Sequence, residues 1–311
     1  MDGFGGKRQN HPLTMHVGDI MTEGKPIIEF KDVSFWYGDI KDEPAIKHIN
    51  LTINKGDYVA LLGLNGAGKT TLQLCINGVV PNSLVGEFAG QVIVDGYDTF
   101  ETPVRELAKS VGMVFDNPEF QLSQMSVAEE IALGMESLGF TYKEMSQTIS
   151  EVLKTVGLSG LEERSPFGLS GGQQQRLSIA SALAMHPKIL VMDEPTSNVD
   201  PIGKEEIFAV AYKLNRERNM TVIMAEHEVE VMAQYANQVV VMHDGKILLN
   251  GTPQEVFRNV ELIQKLGLRM PQVAEYGYYL EQKNLIDLGG VYPVTLDRAT
   301  TVYGELFGKQ S

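Results

Sequence analysis

Residues 57–71 read DYVALLGLNGAGKTT, and this stretch decides the fold. Tyr58 to Leu62 are five consecutive apolar residues, the length and composition of a strand buried on both faces. They run directly into Gly63-Leu64-Asn65-Gly66-Ala67-Gly68-Lys69-Thr70, which fits the phosphate-loop pattern GxxxxGK[ST]. Glycine at these spacings lets backbone N–H groups turn inward around anionic oxygens, and the helix that follows adds the positive end of its dipole. In this pattern Lys69 neutralises the β- and γ-phosphates of a nucleoside triphosphate, and Thr70 offers a hydroxyl to Mg²⁺. Asn65, Gly66, Ala67, Gly68 and Thr71 complete the candidate cradle. The bland alternative is a glycine-rich strand-to-helix turn that holds nothing.

On either side of this stretch, strand and helix patterns alternate. Residues 26–37 (PIIEFKDVSFWY) are rich in β-formers and read as a strand or hairpin arm. Short apolar strands are predicted at 91–95, 111–115, 188–192 and 221–225, and helices at 126–138, 142–156, 172–185 and 201–215. Pro187 forces the third helix to stop, and Pro201 opens the fourth. Residues 238–250 read as a hairpin with Asp244-Gly245 at the turn. The alternation predicts an α/β fold, a phosphate-loop NTPase core with a mostly parallel sheet covered on both faces. To this core the pattern adds a β-rich N-terminal subdomain, a helical subdomain and a small C-terminal domain. The expected boundaries are a flexible extension over 1–25, the main domain over 26–251, and an accessory or dimerisation domain over 252–311.

Composition excludes several function classes. The formal charge of −14 argues against nucleic acid as a partner, because such binding needs a basic face. A single cysteine, Cys75, excludes a disulfide framework. No apolar run approaches the ~18 residues of a membrane span. If the chain serves a membrane, it does so through a partner.

Two more segments carry chemistry. The apolar run Ile189 to Met192 ends in Asp193 and Glu194. Strand ends in such sheets point at the ligand crevice. Asp193 suits Mg²⁺ through a water, and Glu194 suits general-base work on an attacking water. Taken alone, the pair would serve equally well to cap the next helix. Leu169-Ser170-Gly171-Gly172-Gln173 precedes the third helix, and locally Ser170 reads as its N-cap.

The string LSGGQ at 169–173 also resembles the signature of the ABC ATPases, and it lies between the phosphate loop and the Asp193-Glu194 strand, as in that family. The resemblance covers about residues 26–251. It implies that Ser170, Gly171, Gly172 and Gln173 contact ATP held by a second subunit. Tyr37 resembles the aromatic residue that stacks on adenine, with Trp36 as competitor and a core tyrosine as the plain reading. Asp200 looks like the aspartate of the loop after the catalytic carboxylates, and His227 like the switch histidine that contacts the γ-phosphate. Asp116, in VFDNP at 114–118, stands where the family has glutamine; Gln121 and Gln124 are nearby. Near Mg²⁺ its carboxylate would join Thr70 and Asp193 as a metal contact, near the γ-phosphate it would repel, and turned outward it would pair with a membrane partner.

Residues 115–122 (FDNPEFQL), followed by SVAEEI at 126–131, further resemble the ATPases of energy-coupling factor importers, the vitamin and cobalt–nickel type. That resemblance implies an ATP- and Mg²⁺-dependent motor subunit. It would lie peripherally on the cytoplasmic face of the cell membrane. Its partners would be a second ATPase subunit, the same or paralogous, a transmembrane coupling protein and a membrane substrate-binding protein. Two other readings stay open: a soluble ABC protein acting on DNA or the ribosome, and a regulatory subunit with weak turnover.

Overall fold

A computed structural model of the chain describes residues 24–38 and 43–308. Most of the extension expected over 1–25 lies outside the described residues. The elements in chain order are β1 (Pro26–Tyr37), β2 (Ile46–Asn54), β3 (Tyr58–Leu62), α1 (Lys69–Ile76), α2 (Val79–Asn82), β4 (Gly86–Val94), β5 (Tyr97–Asp98), α3 (Val104–Leu107) and β6 (Val111–Val114). There follow α4 (Val127–Leu138), α5 (Tyr142–Val156), α6 (Gly171–Leu183), β7 (Ile189–Asp193), α7 (Pro201–Arg218), β8 (Thr221–Ala225), α8 (Val229–Tyr235), β9 (Gln238–His243) and β10 (Lys246–Gly251). Four helices close the chain: α9 (Pro253–Phe257), α10 (Val260–Lys265), α11 (Gln272–Gln282) and α12 (Leu296–Gly308).

The strands form two sheets. A six-stranded sheet runs β10-β9-β3-β8-β7-β6, parallel except for β10, which returns from β9 as the Asp244-Gly245 hairpin. A four-stranded antiparallel sheet runs β2-β1-β4-β5. Side chains alternate across the central strands, and each face has its own core. Tyr58, Ala60 and Leu62 of β3 join Leu190, Met192, Val222 and Met224 against α4–α7. Val59 and Leu61 join Val191, Ile223 and the α1 residues Leu72, Cys75 and Ile76 beneath the antiparallel sheet. The central sheet is thus buried on both sides, which explains why its strands read as continuous apolar runs.

Helix starts are set locally. Capping boxes hold α4 (Ser126 with Glu129), α5 (Thr141 with Glu144), α6 (Ser170 with Gln173) and α9 (Thr252 with Glu255). The helix predicted at 142–156 has those bounds; α7 runs three residues beyond its predicted end, and the strand predicted at 91–95 begins earlier, as β4. Val256, Phe257, Val260, Ile263, Met270, Ala274, Tyr292 and Val294 from the C-terminal segment are buried in the same apolar cluster as the α4–α7 face. Among the described residues no helix is long and apolar enough to cross a membrane.

Candidate functional site

Four adjacent parallel strands, β3, β8, β7 and β6, end along one edge, where such sheets bind ligands. The phosphate loop leaves β3, His227 follows β8, Glu194 follows β7, and Asp116 follows β6. Register keeps these ends level: Asp193 pairs with Ala225, and Leu61 with Ala225 on its other side. The Glu194 amide donates to Ala225 O at 2.9 Å, extending the ladder one residue into the site.

The loop geometry matches the demand of its glycines. Gly68 lies at φ +99, and a Cβ there would meet Ala45 O at 2.7 Å, so the loop packs against the segment entering β2. Gly66 lies at φ +79 and faces open space, so bulk is excluded there by backbone conformation alone. The ammonium of Lys69 is almost fully buried; it donates to Gly63 O at 2.8 Å and Leu64 O at 3.3 Å and stands 3.4 Å from Glu194 Oε1. Thr70 Oγ1 donates to Asp193 Oδ2 at 2.6 Å. Burial raises the pKa of Asp193; the Thr70 hydrogen bond and the Lys69 charge oppose that rise, and the Glu194 and Asp116 charges add to it. A hydroxyl and a carboxylate side by side are hard oxygen donors of the kind Mg²⁺ takes alongside substrate phosphates and water. Among the described residues no cluster of three or more His, Cys, Asp or Glu could hold a metal by itself, so Mg²⁺ at this pair would take its remaining ligands from water and phosphate oxygens.

Glu194 sits at φ +46, a conformation that costs a non-glycine residue energy and occurs preferentially at functional sites. Its Oε1 is 3.2 Å from His227 Nε2 as well as 3.4 Å from Lys69 Nζ. One oxygen therefore links a cation 5% exposed to an imidazole 53% exposed, a line from the bottom of the loop to its mouth. Ser197 Oγ donates to Glu194 O at 3.0 Å and reaches Oε2 at 3.4 Å, fixing the turn after β7.

The other sequence candidates fall around this centre. Tyr37 is exposed, so it is no core tyrosine, while Trp36 is half-buried. The Tyr37 hydroxyl lies 3.0 Å from Thr71 Oγ1 and its ring meets Phe35 edge-on, which places it beside α1. Asp116 is exposed, and its charge is felt at Asp193. Gln121 folds back onto β6, with Oε1 accepting from Phe115 N at 3.0 Å and Nε2 directed at Met113 O, so its amide is committed to the strand end. Gln124 donates to Ser123 Oγ. Ser170 accepts from Gln173 N at 3.3 Å, and Gln173 Oε1 accepts from Ser170 N at 3.0 Å. No hydrogen bond or ion pair among the described residues joins Ser170–Gln173 to the phosphate loop of the same chain. Asp200 caps α7, accepting from Ile202 N and Gly203 N at 3.1 Å each. The starts of α6 and α7 touch: a Cβ on Gly172 would lie 3.2 Å from Val199 Cγ1 and 3.3 Å from Gly203 Cα, and one on Gly171 would lie 3.1 Å from Asn198 O.

Three buried residues escaped the sequence reading. Glu226 accepts from Thr196 N, Thr196 Oγ1 and His227 N. Gln175 donates from α6 to Phe115 O at 2.9 Å, and Gln73 donates from α1 to Met192 O at 3.0 Å. The available signal was a charged or amide residue on an otherwise apolar face, clear only for Glu226, which directly follows the β8 run.

The chain is similar to known proteins in sequence and in fold. A family described as ABC transporter matches residues 46–197. A putative ABC transporter ATP-binding protein of Pyrococcus horikoshii is 45% identical over 261 residues, 84% of this chain and 92% of that protein. An energy-coupling factor transporter ATP-binding protein of Methanocaldococcus jannaschii is 42% identical over 266 residues, 84% of this chain and 92% of that protein. A solved Clostridium perfringens protein, part of the ABC transporter complex CbiONQ, superposes with a TM-score of 0.68 at 32% identity, covering 82% of this chain and 99% of that one. A dimeric ATP-binding cassette solved in a post-hydrolysis state with ADP and Pi gives 0.64 at 28% identity, covering 72% and 98%.

Proposed function

The chain belongs to the ABC transporter family, and we propose that within it this protein is the ATP-hydrolysing motor subunit of an energy-coupling-factor-type importer. The observation that carries the reading is the convergence of Lys69 and His227 on one carboxylate oxygen of Glu194, beside the Thr70–Asp193 pair. Lys69 binds the β- and γ-phosphates, exchanging its contacts with Gly63 O, Leu64 O and Glu194 for phosphate oxygens. Thr70 and Asp193 would hold Mg²⁺, which would supply positive charge to offset that of the phosphate oxygens. Freed from Lys69, the Glu194 carboxylate accepts a proton from the attacking water, and His227 Nε2 holds that carboxylate in orientation. Tyr37 packs its ring on the base.

Ser170–Gln173 acts on the nucleotide of a second subunit. Two features support this: among the described residues the segment makes no hydrogen bond or ion pair with its own loop, and it forms the capped N-terminus of α6, the end of a helix that favours anionic oxygens. A relative solved as a dimer with ADP and Pi supports the pairing of two such subunits. Closure and reopening of that dimer would move a transmembrane coupling protein and a membrane substrate-binding protein, with this chain peripheral on the cytoplasmic face. Residues 252–311 would strengthen the contact between the two ATPase subunits.

Steady-state hydrolysis of Mg²⁺-ATP by the purified chain, alone and with its co-purified membrane partners, tests the reading. Lys69→Ala should weaken nucleotide binding and turnover together. Glu194→Gln should keep binding and lower turnover by ~10²–10⁴-fold. Unchanged hydrolysis in both variants would overturn the assignment.

A further inference from the structure

Glu226 is a carboxylate 4% exposed, and no lysine, arginine or histidine side chain pairs with it among the described residues. A buried carboxylate without a cation is costly unless hydrogen bonds hold it. Here three donors do. Oε1 accepts from Thr196 N at 2.9 Å and from Thr196 Oγ1 at 2.6 Å, and Oε2 accepts from His227 N at 2.9 Å. Oε1 therefore holds the turn after β7, while Oε2 holds the amide of the next residue in Glu226's own segment, His227.

The strands themselves need no such tie. β7 and β8 are already paired from Ile189–Thr221 to Asp193–Ala225, and the ladder continues through Glu194 N to Ala225 O. The carboxylate acts just beyond the last ladder bond, where the chains part and each carries a side chain of the candidate site. An apolar residue of similar size would fill the space but could not fix the distance between the loops.

The turn that Glu226 grips also reaches the start of α6. Val199 N donates to Thr196 O, and Asn198 and Val199 are the neighbours that a Cβ on Gly171 or Gly172 would meet. A continuous path thus runs from the Ser170–Gln173 segment through residues 196–199 to Glu226, and from there to His227 and the Glu194 carboxylate.

We propose that Glu226 is a positioning residue that locks His227 to the 196–199 turn, so that the imidazole is set against Glu194 only while that turn is seated on the start of α6. This rests on the reading of the site as an ATPase. It makes the placement of His227 depend on the surface where a second subunit's nucleotide would dock.

The variant that probes the lock with least disturbance is Thr196→Val, which removes one of the three donors and keeps the side-chain shape. Thr196→Ser restores the hydroxyl and is the rescue. Two readouts are taken on the full chain: kcat and KM for Mg²⁺-ATP, and the side-chain ¹⁵N resonances of His227 in histidine-labelled protein without nucleotide. Thr196→Val should lower kcat about 10-fold, the worth of one hydrogen bond to a charged group, while KM changes less than about 2-fold. It should also move the His227 resonances, and Thr196→Ser should recover both. Parent-like kcat with unmoved His227 resonances would overturn the proposal. Equal losses in the valine and serine variants would also overturn it, since that pattern marks plain packing. If the parent chain shows no Mg²⁺-ATP turnover either alone or with its co-purified membrane partners, the ATPase reading fails, and the His227 resonances alone decide whether the lock exists.

Discussion

Ser170 holds two duties that one substitution can separate. In the free chain its hydroxyl accepts from Gln173 N at 3.3 Å, half of the capping box that starts α6; the other half, Ser170 N to Gln173 Oε1 at 3.0 Å, uses only its backbone. Ser170→Ala removes the first half and leaves the second. A lost side-chain cap costs about 1 kcal/mol, within a range of ~0.5–2. For a chain of this size that corresponds to roughly 2 °C in Tm. Ser170→Asp keeps an oxygen at the cap, and a negative charge at a helix N-terminus is favourable, so its Tm should equal or exceed that of the parent. The alanine variant should therefore fall below the parent in stability, and the aspartate variant should not.

If Ser170 only caps, ATPase activity should follow stability, and Ser170→Asp should be fully active. If Ser170 faces the γ-phosphate of a nucleotide on a second subunit, both variants fail. The alanine variant loses one donor to developing charge, worth ~10²-fold in kcat, and the aspartate variant adds repulsion to that loss. The assay is steady-state hydrolysis at saturating Mg²⁺-ATP, paired with thermal unfolding of the same samples. A stable Ser170→Asp protein with parent activity would refute the trans-acting assignment.

Further outcomes are expected elsewhere. Burial raises the Asp193 pKa, so in the nucleotide-free chain its contribution to stability is present at low pH and lost as pH rises through that raised value. Mg²⁺ needs the ionised carboxylate, so at a pH acidic enough to leave Asp193 partly protonated its uptake with nucleotide should release protons, and Mg²⁺ affinity should begin to fall on acidification above the ordinary aspartate value of about 3.9. Titration calorimetry in buffers of differing ionisation enthalpy reads this, with no proton release as the contrary result. Asp116→Gln should raise basal ATPase and alter its Mg²⁺ dependence; if neither changes, residue 116 plays no part in turnover. Gly203→Ala would put a Cβ 2.5 Å from Val199 Cγ1, which should destabilise by about 1–3 kcal/mol, with Val199→Ala restoring most of the loss in a double-mutant cycle of denaturant midpoints. Truncation before Leu296 should leave a folded, nucleotide-binding chain. Truncation after Gly251 strips Phe257, Ile263 and Val294 from the shared core and should yield insoluble protein, as fractionation after expression would reveal.

The features legible in the sequence are those whose causes are local. The phosphate loop was readable because strand, glycines and helix are contiguous, and each residue's demand is met within a few positions. The same holds for the cap at Ser170, the Asp244-Gly245 turn and the apolar face of α5. β2 was missed for an equally local reason: His48, at φ +49, interrupts the alternation, so Ile46 and Ile49 both turn inward three residues apart. What only the tertiary structure decided was which strand ends stand together. In the chain β6 and β7 come between β3 and β8, yet in the sheet β8 sits between β3 and β7. That single choice brings His227 to Glu194 and Glu194 to Lys69, and it sets Glu226 against Thr196. Parallel neighbours are selected by the helices that carry the chain back across the sheet and by burial on both faces, and no short window of residues records that pairing.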